Sequence, residues 1–514
     1  MLLALLSGCL LFLAFPGSDL SVLAWIALIP LFFALRGQTF KKGFVLGFIC
    51  GWSASLGCIR WIPETLYFIT GSRLAGFIIW FLLPLYPAFF AGLFGGLAGF
   101  LRQPFVKGER ERGGLSQLVY LVMLPSLWVA LELIQARLLR GFPWMYHFLG
   151  YSQWNNLRVI QIADVTSFYG VSFLLVLFNL ALFQLIVTRK IRPLIAALGV
   201  VFLCFSYGFW KMDVLAPREK TGGILVAILQ ANIDPLIKWD DKEKTGNFIA
   251  RRYLDLCRLA VRGQPDLIVW TETAIPWPMA EGDDLLEAAL NITQPAQAAH
   301  MIGMPAPVPW EPGKFYNAAF FVLPDGRITG QYNKVRLLSM IEQETMKLGF
   351  LRRFGFGENR KDYFPGWQQE VMETPLAKIG IAICNENLYP EFIRLPAKRG
   401  AEFLVVMSND GWFRTDAPLV QHYMLNIFRA VENRRDIVAA SNTGISGVID
   451  AYGRTKDKTA MWQSAVLMGT VKKRNALSFY ARFGDLFAYL CVVLSFLGVL
   501  GFLFQTRKNK RQGR

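Results

Sequence analysis

Lys378-Ile379-Gly380-Ile381-Ala382-Ile383-Cys384-Asn385-Glu386 is the stretch that decides how the second half of this chain folds. The run from Ile379 to Ile383 has the length and β-branched content of a buried strand, and it stops at a thiol followed by polar residues. Such a cysteine either adds one more side chain to a core, since free Cys is among the most buried residue types, or it is a nucleophile presented at a strand end. Its company in the chain has to decide between the two.

Outward from that run, residues 218–475 carry a soluble α/β pattern. Strand-like runs at Ile224–Gln230, Asp266–Trp270, Phe315–Leu323, Lys378–Cys384, Phe403–Ser408, Ile437–Ser441 and Val466–Val471 alternate in part with helical patterns. The clearest helix spans about 243–262, where Ile249, Tyr253, Leu256, Cys257 and Ala260 form an apolar stripe that assigns Cys257 to the core. A second, at about 418–433, follows Asp416 as N-cap and carries His422, for which the pattern gives a structural or solvated role.

The flanks are of another kind. Across 514 residues the chain is 54% hydrophobic and 18% charged, too apolar for an ordinary soluble protein. Apolar spans fall at about 2–15, 22–35, 43–60, 75–101, 117–135, 167–187, 193–210 and 485–504, the first two short for a bilayer. The opening Met1-Leu2-Leu3-Ala4 has no positive n-region, which points to a first membrane helix and not a cleaved signal peptide. Arg36, Lys41 and Lys42, then Arg102, Lys107, Arg110 and Arg112, then Arg189, Lys190 and Arg192, and finally the basic tail fall in loops on one side, which the positive-inside rule makes cytoplasmic. The expected organisation is a transmembrane domain of about seven helices at 1–217, a catalytic domain outside the membrane at 218–475, and a last helix with its cytoplasmic tail at 476–514. The formal charge of +17 is then met by the phospholipid bilayer, and no nucleic acid is expected. Five of the seven cysteines, Cys9, Cys50, Cys58, Cys204 and Cys491, lie in apolar segments, and CxxC or Cys/His metal spacing is absent. With only three histidines, zinc and Ser-His-Asp chemistry have little to draw on, and no metal or cofactor is expected.

Three predicted strand ends carry reactive groups: Glu272 after Asp266–Trp270, Lys334 after the short strand that follows the Asp325-Gly326 turn, and Cys384. Brought together, these could perform acyl transfer without histidine. An ordinary thiol, with a pKa near ~8.5, is only a few per cent ionised at neutral pH. Glu272 could accept its proton and later hand it to the leaving group, while Lys334 and the backbone N–H of Asn385 could stabilise thiolate and oxyanion.

Glu272 in Trp-Thr-Glu-Thr-Ala, Lys334 in Tyr-Asn-Lys and Cys384 in Ile-Cys-Asn-Glu resemble the Glu-Lys-Cys triad of the nitrilase superfamily. With membrane spans on both sides, the whole chain resembles the apolipoprotein N-acyltransferases of Gram-negative bacteria, a membrane-embedded branch of that superfamily. Leu13-Ala14-Phe15-Pro16, Gly141-Phe142-Pro143-Trp144, Gln230-Ala231-Asn232-Ile233, Ser408-Asn409-Asp410-Gly411-Trp412-Phe413 and Ser441-Asn442-Thr443-Gly444-Ile445-Ser446 extend the match. The resemblance implies a polytopic α-helical membrane domain of about eight transmembrane helices and a nitrilase-like α-β-β-α sandwich. It makes Cys384 the acylated nucleophile, Glu272 the general base and Lys334 the electrostatic stabiliser, supported by Glu342, Glu386 and Asn385. It gives Trp239 a place on a loop over the site; Trp144, in an outer loop rich in aromatics, reads independently as part of an interfacial belt or as a residue that holds lipid. The implied reaction moves a fatty acyl chain from a phospholipid donor to the free α-amine of a diacylglyceryl apolipoprotein at the outer face of the bacterial inner membrane.

The chain departs from the family pattern in three places. Thr271 stands where a proline usually precedes the base, Ser339-Met340-Ile341-Glu342 replaces a Pro-Phe-Gly-Glu run, and Asn385 follows the nucleophile where an aromatic is usual. Two alternatives stay open at this point: a membrane-tethered nitrilase-like amidase, and a catalytically degenerate homologue that only binds lipid or lipoprotein.

Overall fold

The computed structural model describes residues 1–101, 114–138, 147–218, 223–235, 237, 242–280, 282–338, 342 and 363–511. Its first part is helical: α1 (Leu2–Leu13), α2 (Ile29–Ala34), α3 (Phe40–Cys58), α4 (Ile62–Thr70), α5 (Arg73–Leu82), α6 (Leu85–Leu101), α7 (Gly114–Leu138), α8 (Phe168–Thr188) and α9 (Arg192–Phe209). Among the described residues five helices are long and apolar enough to cross a membrane, α5 and α6 counting as one and the last helix of the chain included; α3 and α4, bent by 57° at their junction, make a sixth if taken as one span. The first two expected spans are shorter helices, and α2 carries a proline in its first turn. Apolar chains gain little from excluding water when lipid surrounds them, so close approach of small residues has to hold such helices together. Here Gly43 and Gly47 on α3 face Gly95 and Ala91 on α6, and a Cβ at Gly47 would run into the Ala91 carbonyl.

The second part is built on two six-stranded sheets. The first runs β12-β1-β2-β3-β4-β5, with β1 Gly223–Gln230, β2 Leu267–Val269, β3 Ala299–Pro307, β4 Phe315–Val322, β5 Ile328–Asn333 and β12 Ala465–Lys472. The second runs β11-β10-β9-β8-β7-β6, with β6 Val371–Glu373, β7 Lys378–Ile383, β8 Phe403–Ser408, β9 Ile437–Ser441, β10 Gly447–Ile449 and β11 Thr455–Lys458. β1, β2 and β3 are parallel, as are β7, β8 and β9, while β3, β4 and β5 alternate in direction. Consequently β2, β5, β7 and β8 can all deliver side chains at strand C-termini, the end where open α/β sheets place their sites.

The period of two along each strand sorts the cores. Ile379, Ile381 and Ile383 of β7 meet Val226, Val269, Met301 and Phe321 of the other sheet in a buried layer between the sheets. On the outer face of the first sheet, α10 (Lys242–Ala260) and α11 (Asp284–Thr293) pack through Ile249, Tyr253, Leu256, Cys257, Leu285 and Leu286. On the outer face of the second, α12 (Pro390–Lys398) and α13 (Asp416–Asn433) cover Ala382, Leu404, Val406 and Ala439, and this layer runs without a break into the core of the helical part. The order is helix, sheet, sheet, helix. The chain ends in α14 (Leu486–Arg511).

Candidate active site

The apolar strand β2 ends at the buried Trp270, and the next residues leave the sheet with Glu272 facing inward at 6% exposure. β5 leads directly into Lys334, which is 1% exposed although its strand lies at the edge of the sheet. A lysine so deeply buried needs counter-charge, because an unpaired ammonium loses its hydration. Two carboxylates supply it. Lys334 Nζ donates to Glu272 Oε1 at 3.0 Å and lies 2.9 Å from Glu342 Oε2. Asn317 of β4 donates its amide to Glu272 Oε1 at 2.8 Å and to Glu342 Oε1 at 2.9 Å, so one side chain spaces both acids. The remaining Glu272 oxygen accepts the backbone N–H of Asn409, just past β8, at 2.7 Å. Burial alone pulls the Lys334 ammonium down, but Glu272 and Glu342 outweigh it and hold its pKa well above the ordinary lysine value.

Cys384 follows β7 with φ +53°, a left-handed conformation that a side chain adopts at some cost. The turn breaks the strand's alternation and starts the short 3₁₀ helix Cys384–Leu388. Burial pushes the thiol well above its ordinary pKa, the Glu272 carboxylate raises it further, and Lys334 opposes both. Cys384 therefore rests as a thiol, with a carboxylate and an ammonium in its field. Thr273, beside Glu272, has a left-handed φ of +48° as well.

Glu386 occupies a different position from the three reactive groups. Fully buried, it accepts the N–H groups of Val335 and Arg336 at 2.8 and 3.0 Å on Oε1, and that of Ile383 at 2.8 Å on Oε2. The Tyr332 hydroxyl donates to Glu386 as well, 2.8 Å from Oε2, and also lies 2.7 Å from Gln369 Oε1. Glu386 thus ties the segment just after Lys334 to the end of β7, just before Cys384, acting through the backbone of both. Burial pushes its carboxyl up to about 7, against the opposing pull of the N–H donors.

Every expected site residue that is described falls in this one place: Glu272, Lys334, Glu342, Cys384, Asn385 and Glu386. Trp239 and Trp144 lie outside the described residues, as do Ser339, Met340 and Ile341. Asn385 is 2% exposed, and among the described residues neither polar atom of its side chain has a hydrogen-bond partner. Thr271, just before Glu272, shares a hydrogen bond of 3.0 Å with the Tyr253 hydroxyl. Sequence reasoning missed Asn317, Tyr332, Asp410 and His422 as parts of the site. The signal for Asn317 was a lone amide inside the apolar run Phe315–Val322; for Asp410 it was the Ser-Asn-Asp-Gly-Trp-Phe motif, noted without a role.

Comparison with known proteins bears on the whole chain. Residues 7–181 match the family model for the apolipoprotein N-acyltransferase N-terminal domain, and residues 225–476 match that for carbon-nitrogen hydrolases. The apolipoprotein N-acyltransferase of Geobacter metallireducens is 35% identical over 96% of this chain and 93% of its own length. Those of Chlorobaculum tepidum and Thermotoga maritima are 29% and 28% identical, each over 99% of this chain and over 97% and 95% of their own. Among solved structures, Saccharomyces cerevisiae Nit3, a member of branch 10 of the nitrilase superfamily, is similar over 49% of this chain and 90% of its own, at 19% identity and a TM-score of 0.39. Both domain models, and a relative matched almost end to end, place this chain in the apolipoprotein N-acyltransferase family.

Proposed function

We propose that the protein moves an acyl chain in two steps through a thioester on Cys384. In the first, Sγ attacks the ester carbonyl of a membrane phospholipid while Glu272 takes the thiol proton. The ester C–O bond then breaks, the proton passes from Glu272 to the leaving oxygen, and a lysophospholipid departs. In the second, the free α-amine of an apolipoprotein's N-terminal diacylglyceryl-cysteine attacks the thioester carbonyl and gives a proton to Glu272; the C–S bond then breaks, Glu272 returns the proton to Sγ, and the acylated amine leaves as an amide. Lys334 and the Asn385 N–H stabilise the oxygen that turns anionic in each tetrahedral intermediate. The observation that carries this reading is a buried ammonium held between two carboxylates in the electrostatic field of the Cys384 thiol. A lipid substrate is supported by how the site is mounted. The loop after β8 rests on the helical part, where Phe413 packs edge-on against Trp61 at 5.1 Å and Arg414 lies 3.4 Å over the Phe68 ring.

The same reading puts residues 218–475 on the periplasmic side of the inner membrane. It follows from the basic residues between α2 and α3 and between α8 and α9, which fall on one side and are drawn to the cytoplasmic face. Intact-protein mass spectrometry after incubation with phospholipid tests the chemistry. The wild type should gain the mass of one acyl chain, lost on neutral hydroxylamine treatment, and Cys384→Ala should gain none. An unmodified Cys384 under turnover conditions overturns the proposal.

A further inference from the structure

Helix α13 sets His422 directly behind the nucleophile, and each ring nitrogen faces an acceptor. Nδ1 lies 2.7 Å from Asp410 Oδ1, while Nε2 lies 3.2 Å from the backbone oxygen of Cys384 and 3.0 Å from Asn387 Oδ1. The Asn387 amide is turned this way because its Nδ2 donates to Asn426 Oδ1 at 2.9 Å. A ring with acceptors at both nitrogens has to carry a proton on each, so His422 sits here as imidazolium. Asp410 is its counter-ion. The hydroxyls of Ser408 and Ser441 donate to Asp410 Oδ2 at 3.0 and 2.7 Å and keep it anionic. Burial opposes the charge on the ring, and Asp410 overcomes it, leaving His422 above its ordinary pKa.

The grip on Cys384 has a geometric consequence. In a trans peptide the C=O and the following N–H point in opposite directions. Holding the Cys384 carbonyl toward His422 therefore turns the Asn385 N–H away from the helix. That N–H belongs to the first turn of the 3₁₀ helix, where no intrahelical acceptor exists, and among the described residues nothing else receives it. A cation bound to the carbonyl also draws electron density through the amide and makes its N–H a better donor. The left-handed Cys384 backbone, unfavourable on its own, is what this contact holds in place.

We infer that His422, charged against Asp410, is a positioning residue for acyl transfer: it clamps the Cys384 carbonyl so that the Asn385 N–H is aimed at the oxygen of the tetrahedral intermediate. This rests on the reading of Cys384 as the acylated nucleophile. As Sγ bonds to the ester carbon, the carbonyl electron pair moves onto oxygen and is received by the Asn385 N–H. The thiol proton goes to Glu272, and His422 keeps both of its protons throughout.

Two reactions of the same thiol separate this role from simple structural support. Alkylation by iodoacetamide is a displacement at carbon that builds no oxyanion, whereas acylation by phospholipid does. His422→Gln keeps a neutral donor in reach of the carbonyl, His422→Leu keeps none, and Asp410→Asn leaves the ring but removes its counter-charge. Acylation of the full chain in detergent and phospholipid, followed by mass spectrometry, should slow about tenfold in His422→Gln and Asp410→Asn. In His422→Leu it should slow about a hundredfold, in the range of losing an oxyanion donor. Alkylation rates and the apparent KM for phospholipid should stay within about twofold of wild type. Acylation and alkylation falling together in His422→Gln, or acylation unchanged in the folded variants, overturns the inference alone. No acyl adduct on wild-type Cys384 overturns the thioester reading and the inference with it.

Discussion

Taking away the Lys334 ammonium would leave Glu272 and Glu342 sharing the Asn317 amide with no counter-charge between them. Two carboxylates so placed cannot both stay ionised, and breaking a buried ion pair from one side typically costs about 3–5 kcal/mol. The same ammonium opposes the upward shift of the Cys384 thiol. Lys334→Met should therefore lower the thermal midpoint, slow iodoacetamide alkylation of Cys384 at pH 7.5, and cut acylation by about 10²–10³-fold. Wild-type alkylation in that variant would show that Lys334 does not act on the thiol. Glu386 makes a different prediction, because it holds backbone and touches no reacting atom. Its carboxyl is pushed up to about 7 when folded, against about 4.3 when unfolded, so the folded chain binds its proton more tightly. That contribution to stability is fully present below about pH 4 and is lost as pH rises through about 7; Glu432, also pushed to about 7, acts with the same sign. Protonation nonetheless turns one acceptor oxygen into a donor facing N–H groups of Ile383, Val335 or Arg336. Acylation should fall from pH 8 to pH 5.5 with a midpoint near 7 while the thermal midpoint does not fall. A parallel loss of both would remove Glu386 as the cause. Glu386→Gln, which sets an amide donor against those N–H groups, should lose about 1–3 kcal/mol of stability and most activity at every pH.

Strand geometry positions Glu272 as firmly as charge does. Gly303 lies in β3 beneath the loop that carries Glu272, and a Cβ there would strike the Thr271 carbonyl and come within 2.9 Å of the Thr273 nitrogen and 3.0 Å of the Glu272 Cα. All three are backbone atoms, so the loop itself would have to move. Gly303→Ala should displace Glu272 relative to Lys334 and cost about 100-fold in acylation, since misplacement by about 1 Å is enough for that. A crystal structure or the acylation rate of the variant checks it, and a wild-type rate would mean the loop yields without consequence. The same elements show what could be read beforehand. β7 was legible because Ile379 to Ile383 is a short apolar run that ends abruptly; Glu272 and Cys384 were legible because each follows such a run, and Lys334 because it follows the short strand after the Asp325-Gly326 turn. Asn317 and His422 were not. They reach the site from the interior of β4 and α13, and their partners lie 45 and 38 residues away in Glu272 and Cys384. Hydrophobic periodicity locates elements, but pairing between elements leaves no mark in one sequence. For that reason His422 read as an ordinary helical histidine until its neighbours were seen.

At the scale of the molecule, α13 does two jobs at once. One side carries His422 against the Cys384 backbone, and the other is buried against the helical part. Arg429 is fully buried, pairs with Glu432 at 2.9 Å and donates to the Tyr151 hydroxyl at 2.8 Å, while Ser167 donates to Glu432 at 2.6 Å. Arg434 reaches Asp164 at 2.8 Å and Gln161 at 2.6 Å, and Arg137 at the end of α7 pairs with Glu391 at 2.6 Å and with Asp485. Trp61 and Gln421 close the layer with a hydrogen bond of 3.1 Å. Separating the two parts would expose Phe428, Met424 and Ile427 together with the buried Arg429–Glu432 pair, which would lose Tyr151 and Ser167 across the boundary. Apolar burial is worth about 25 cal/mol per Å², and exposed apolar patches beyond a few hundred Å² drive association. The α/β part is therefore not a domain merely tethered to a membrane anchor; its second sheet is covered by a helix that needs the membrane helices as its other wall. Residues 223–478 produced alone should be recovered as aggregate, with Cys384 alkylation lost, whereas the full chain in detergent should elute as a single species with Cys384 reactive. Size-exclusion chromatography and thiol labelling of the two preparations decide it: a soluble, monodisperse 223–478 fragment with wild-type labelling would mean that α13 holds the Cys384 backbone without the membrane helices behind it.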